Sequence, residues 1–179
     1  MGNFYLNLTV CGAGRDQVVE VLRMLNLRAF VAPTQRQHTV VYPEDSDVWN
    51  NPDSAADLAG TLSVHLNCPV VIAAVFDDDV LFLFLFEGLD RTFEYNSSDR
   101  QLKNLRRLYD ATGAKGWLPA LWVVLKLPHP APYLFETYRH LHMLKILRMP
   151  EWAFATGYTY IQTNGEPPPG LTVGDLVKT

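Results

Sequence analysis

A chain of 179 residues with 48% hydrophobic content fits one domain of ordinary size, or a domain with a helical extension. Its net charge of −4 argues against a general nucleic-acid binder, and Cys11 and Cys68 are too few for a disulfide framework or a zinc knuckle. Residues 1–10 lack the charged start and apolar core of a secretion signal, and no apolar run approaches the roughly 20 residues that span a bilayer. The expectation is a cytoplasmic protein with reduced thiols and no membrane segment; the alternative for the thiols is a single Cys11–Cys68 bridge, if their two strands are neighbours.

Phe4, Leu6, Leu8 and Val10 alternate with Tyr5, Asn7 and Thr9, the pattern of a strand buried on one face that lies near a sheet margin or faces a wetter layer. Gly12 and Gly14 then open a helix whose Val18, Val21, Leu22 and Leu25 recur at helical spacing. Strands follow at 29–32 and 39–42. After a polar loop holding Trp49, Ser54 and Asp57 sit three apart as in a capping box, ahead of a Leu58, Leu62 and Leu66 stripe.

Residues 70–76 and 80–86 form two apolar runs parted only by Asp77, Asp78 and Asp79, which reads as a hairpin. Successive strand side chains point to opposite faces, so Phe82, Phe84 and Phe86 oppose Leu81, Leu83 and Leu85. Both faces are apolar, and both therefore need a cover. A third strand is expected at 91–95. From Ser98 onward the pattern turns helical, with Leu102, Leu105 and Leu108 on one stripe, an apolar piece at 117–127, and a long helix after Pro132. Leu134, Tyr138, Leu141 and Leu144 are the expected buried stripe of that helix, and the Pro-rich tail at 162–179 is expected to be an irregular strap.

The fold expected is α+β: a mixed, largely antiparallel sheet centred on the 70–86 hairpin, with helices on both faces. Residues 1–97 form the sheet half and 98–179 the helical half of one compact domain. A second copy of the chain in a homodimer is the alternative cover for one sheet face.

Charge divides along the chain: residues 1–95 carry a net of −8, and residues 96–148 a net of +6. Arg106, Arg107, Arg139 and Arg148 are candidate anion-binding residues on the basic helices. The competing explanation is that these helices dock beside acidic loops of the same molecule, and the sequence favours it.

Gly12-Ala13-Gly14 follows a strand and precedes a helix, as in phosphate-cradling turns, but Gln17 stands where a dinucleotide pattern has its third glycine. A plain turn explains it. Asp77, Asp78 and Asp79 offer oxygen ligands for a hard cation, with Asp45 and Asp47 as candidate helpers. Aspartate is also a turn residue and a charged gatekeeper beside sticky strands, so no metal and no cofactor is assigned. His140 and His142 point about 200° apart on a helix and do not suit one zinc ion. Trp49, Trp152 and Tyr158 are candidate interface aromatics.

No catalytic constellation stands out. The leading expectation is a non-enzymatic interaction or regulatory protein with a protein partner. The first alternative is a ligand-binding protein or enzyme with a pocket between the sheet ends and the C-terminal helices, using Tyr95, Asn96, Ser97 or the 77–79 turn. The second alternative is an anion or nucleic-acid binder through the basic helices.

Overall fold

Two apolar faces on the 70–86 ribbon demand two covering layers, and the computed structural model provides them around one eight-stranded sheet. It describes residues 2–44, 52–115, 118–127 and 135–179, the side chains of Pro52 and Asp53 excepted. The strands are β1 (Tyr5–Cys11), β2 (Ala29–Val31), β3 (His38–Pro43), β4 (Val70–Phe76), β5 (Val80–Glu87), β6 (Asp90–Asn96), β7 (Gln101–Lys103) and β8 (Val177–Lys178). Their order across the sheet is β7-β6-β5-β4-β1-β3-β2-β8. Every pairing among these strands is antiparallel. Both edges are short, β7 of three residues and β8 of two, which limits the unpaired backbone offered to another chain.

Helices α1 (Arg15–Met24) and α2 (Pro52–Leu66) lie over Leu6, Leu8, Val10 and Ile72. Helices α3 (Leu105–Ala111), α4 (Leu118–Lys126), α5 (Glu136–Leu147) and α6 (Tyr158–Asn164) cover the other face, which presents Leu81, Leu83 and Leu85. No helix among the described residues is long and apolar enough to cross a membrane.

The hairpin pairs Val70 with Phe86 through Phe76 with Val80. Its leucine row is fully buried, each side chain worth roughly 1.5–3 kcal/mol. The phenylalanine row is covered unevenly. Phe86 is buried where α2 sends Ser63 Oγ to the Phe86 carbonyl at 3.3 Å, whereas Phe82 and Phe84 are half-buried. Those two rings stack at 6.3 Å, and the Arg91 guanidinium lies 5.0 Å from the Phe84 ring centre.

Strand β1 departs from the one-sided, marginal strand its alternation suggests. It lies between β4 and β3 and is buried along its whole length. Part of its polar row is met internally: Asn7 Nδ2 donates to the carbonyls of Ala153 and Thr156 at 2.7 and 3.1 Å, and Tyr5 Oη lies 2.7 Å from His140 Nδ1, while Asn7 Oδ1 has no hydrogen-bond partner among the described residues. Alternation marked a polar row, and the C-terminal segment provides the partners that water would otherwise give.

Two helical expectations also shift. Leu102 belongs to edge strand β7, paired with Tyr95, and α3 begins only at Leu105. On α5 the buried face carries Glu136, Arg139, His140, Met143, Leu144 and Leu147, whereas Tyr138 is exposed; Leu134 lies outside the described residues. A stripe of apolar residues could not reveal this face because an ion pair occupies half of it. The tail has some order, since β8 pairs with β2 and Thr179 Oγ1 accepts from the Ala29 amide at 2.9 Å.

Candidate functional site

Most of the candidate residues have structural work. Arg106 binds Asp110 one turn along α3 at 2.9 Å, Arg107 reaches Glu87 at 3.1 Å, and Arg139 holds Glu136 at 2.6 Å. The 77–79 turn anchors neighbouring segments. Asp77 Oδ1 accepts from the Gly2 amide, and Asp78 accepts from the Asn3 amide, Asn3 Nδ2 and Thr137 Oγ1. Burial opposes ionisation of Asp78, but the bonds from Thr137 and Asn3 outweigh it and hold the carboxyl below its ordinary value. Asp79 is exposed; no group of three His, Cys, Asp or Glu among the described residues converges as a metal site.

Trp152 is half-buried in a short 3-10 turn whose carbonyl accepts from Tyr42 Oη at 2.5 Å. Tyr158 is buried at the start of α6, with its ring 5.1 Å from Phe30 and its hydroxyl donating to Glu44. Both are packing residues here, and Trp49, Asp45 and Asp47 lie outside the described residues. Tyr95 Oη donates to the Leu125 carbonyl, Ser97 Oγ accepts from the Leu81 amide, and Asn96 Oδ1 caps Ser98. The glycine turn is closed by Gln17, whose Oε1 accepts from the Gly14 amide at 3.0 Å.

Arg148 alone of the four candidate arginines has no ion-pair partner among the described residues. It lies on the rim of a pocket of about 520 Å3 between one end of the sheet and the C-termini of α3 and α5. Local backbone chemistry builds this pocket. β1 ends at Cys11, and Gly12 leaves it at φ +125°, a conformation closed to most side chains. The β2–β3 connection turns at Arg36 and Gln37, both left-handed at φ 51° and 66°, with Gln35 and His38 exchanging backbone bonds at 2.8 and 2.9 Å. This is the geometry of a two-residue hairpin turn that favours Asn-Gly. Helix α5 ends at Arg148 in the left-handed conformation, where glycine is the usual residue.

Cations dominate the rim. Arg36 comes from the hairpin turn, Lys115 from the segment after α3, and Arg148 from the end of α5; none has an ion-pair partner among the described residues. Asp110 is the single acid on the wall, and Arg106 neutralises it. Each helix C-terminus contributes at most about half a negative charge, less for the seven-residue α3, so the three cations prevail.

The floor is neutral. His38 is 5% exposed and faces Cys11 across the β1–β3 ladder. Its Nε2 lies 3.1 Å from the Thr112 carbonyl, which can only accept, so Nε2 carries the proton and Nδ1 is left as a buried acceptor with no hydrogen-bond partner among the described residues. Burial holds the imidazole below its ordinary value, opposed by the Thr112 and Gln35 backbone and aided by the Arg36 charge. Burial also raises the Cys11 thiol well above its usual range, and Sγ lies 3.7 Å from the Thr9 carbonyl. Cys11 and Cys68 are both free thiols. A protonated thiol beside a neutral imidazole is a wall, not an activated nucleophile.

Sequence reasoning placed Arg148 among the anion candidates but missed Arg36, His38 and Lys115. The available signal was Arg36-Gln37 between two short strands, at positions where a tight hairpin favours Asn-Gly. No protein-family model, curated protein or solved structure matches the chain.

Proposed function

We propose that the protein binds a small anionic ligand in the pocket between the sheet end and the C-termini of α3 and α5, in an intracellular, regulatory setting. The observation that carries this reading is the convergence of Arg36, Lys115 and Arg148, three cations without counter-charges among the described residues, on one cavity. Its volume of about 520 Å3 falls within the range of small-molecule sites. The neutral Cys11 and His38 favour binding over covalent catalysis. The packing roles of Trp152 and Tyr158 move a protein-partner reading to second place.

Backbone strain adds support. Five described residues other than Gly, Asn and Asp have positive φ, namely Arg36, Gln37, Arg100, Arg148 and Ala155, and three of these five line this pocket. Each left-handed residue of this kind costs about 1–2 kcal/mol, and such strain gathers where a side chain is needed.

Titration calorimetry with a panel of anions at low salt tests the reading. Binding is expected to weaken as salt rises, and Arg36→Glu or Arg148→Glu to weaken it at least tenfold, whereas Arg23→Glu on the exposed end of α1 leaves it unchanged. Absence of binding across the panel, or indifference to the two pocket reversals, refutes the reading. A second result is expected from the turn itself. Arg36→Asn combined with Gln37→Gly should raise stability by about 1–2 kcal/mol while weakening anion binding, a divergence visible by denaturant unfolding beside calorimetry.

A further inference from the structure

We infer that the ligand is a phosphomonoester, with its single phosphoryl group among Arg36, Lys115 and Arg148 and an uncharged body against Cys11 and His38. This rests on the anion reading and specifies its chemistry. Three features of the pocket select it.

Charge comes first. With Asp110 held by Arg106 and two helix C-termini contributing partial negative charge, the rim retains an excess of about two positive charges. A phosphomonoester carries about −1.5 to −2 at neutral pH, which matches that excess; a lone carboxylate carries half as much.

Shape comes second. The three cations enter from three separate segments: a hairpin turn, the chain after α3 and the end of α5. A planar carboxylate has two oxygens and is satisfied by one guanidinium fork. A phosphoryl group spreads three terminal oxygens around a tetrahedron and can engage two forks and an ammonium together.

Depth comes third. A cavity of about 520 Å3 is far larger than one inorganic phosphate, and its floor is built for something uncharged. Cys11 and His38 keep only 6% and 5% of their surface exposed, and neither carries a charge there. One phosphoryl group and a neutral body therefore fit better than a dicarboxylate or a bisphosphate.

The test is calorimetry on the full chain at pH 8 and low salt, where His38 is neutral and the phosphoryl group dianionic. Glucose 6-phosphate, adenosine 5′-monophosphate and phenyl phosphate are the probes, against inorganic phosphate, succinate and fructose 1,6-bisphosphate. At least one monoester is expected to bind tenfold or more tighter than inorganic phosphate and succinate. Lys115→Gln and Arg148→Gly should each weaken it about tenfold; the glycine variant relieves the left-handed strain and keeps the fold. Succinate binding as tightly as the best monoester, with the same dependence on Arg148, overturns the phosphoryl assignment and leaves the anion reading standing. Monoesters no tighter than inorganic phosphate overturn the role given to the floor and with it this inference. No binding by any probe refutes both readings.

Discussion

Replacing Glu136 with Gln is expected to destabilise the protein by about 3–5 kcal/mol, a large part of the stability of a domain this size. Glu136 and Arg139 are 0% and 1% exposed. Arg139 Nε and Nη2 donate to the two carboxylate oxygens at 2.6 and 3.1 Å, while Nη1 donates to the Val124 carbonyl and so ties α5 to α4. The fork is engaged on both sides, so replacing the acid takes the facing carboxylate away from a charged guanidinium in a buried site. The same physics predicts partial recovery. Glu136→Gln with Arg139→Met removes the buried charge along with its carboxylate and should regain more than half of the loss. Guanidinium unfolding of the wild type and these variants reads both effects; a single-variant loss below about 1 kcal/mol would mean that water reaches the pair in solution.

Acid should weaken the fold well before its carboxylates titrate. Burial holds His140 at about 3, down from an ordinary value of 6.5, and its Nε2 has no hydrogen-bond partner among the described residues. Folding therefore favours the neutral ring. An unfolded chain takes up a proton near pH 6.5 that the native state refuses until about pH 3. The contribution of the neutral ring is complete above pH 6.5 and is lost by about 1.4 kcal/mol per pH unit as the pH falls between those values. His38 acts in the same direction, because its value is also lowered. Asp78 acts in a separate window: its depressed carboxyl stabilises the fold above the ordinary value of 3.8 and loses that contribution as the pH falls through its folded value. Urea midpoints at pH 7, 6, 5 and 4.5 should decline steadily in the wild type, with a shallower slope in His140→Gln. Midpoints that stay level from pH 7 to 5 in the wild type would show that His140 meets water or gains a partner when protonated.

Both effects come from a helix whose buried face the sequence concealed. Glu136 and Arg139, three residues apart, resemble a surface ion pair, and Tyr138 resembles a core aromatic until α5 is docked. Likewise Asn7 and Thr9 suggested a wet strand face, but carbonyls from the 153–156 segment meet Asn7 inside the protein. The hairpin was readable because its evidence is local: two apolar runs of strand length, β-branched and aromatic, parted by three turn-forming aspartates. Arg107 reaches Glu87 of the acidic half, whereas Arg106 pairs with Asp110 on its own helix, a partner the charge division did not point to.

The pocket lies at the opposite extreme. Cys11, Arg36, Lys115 and Arg148 come from four segments far apart in the chain, and no spacing rule relates them. By itself the sequence determined the α+β class, the central ribbon and its need for two layers, because side-chain periodicity and turn chemistry act over a few residues. Only the tertiary structure decided which polar groups found internal partners and which charges were left facing a common cavity, because those outcomes depend on distances between segments that the linear order does not constrain.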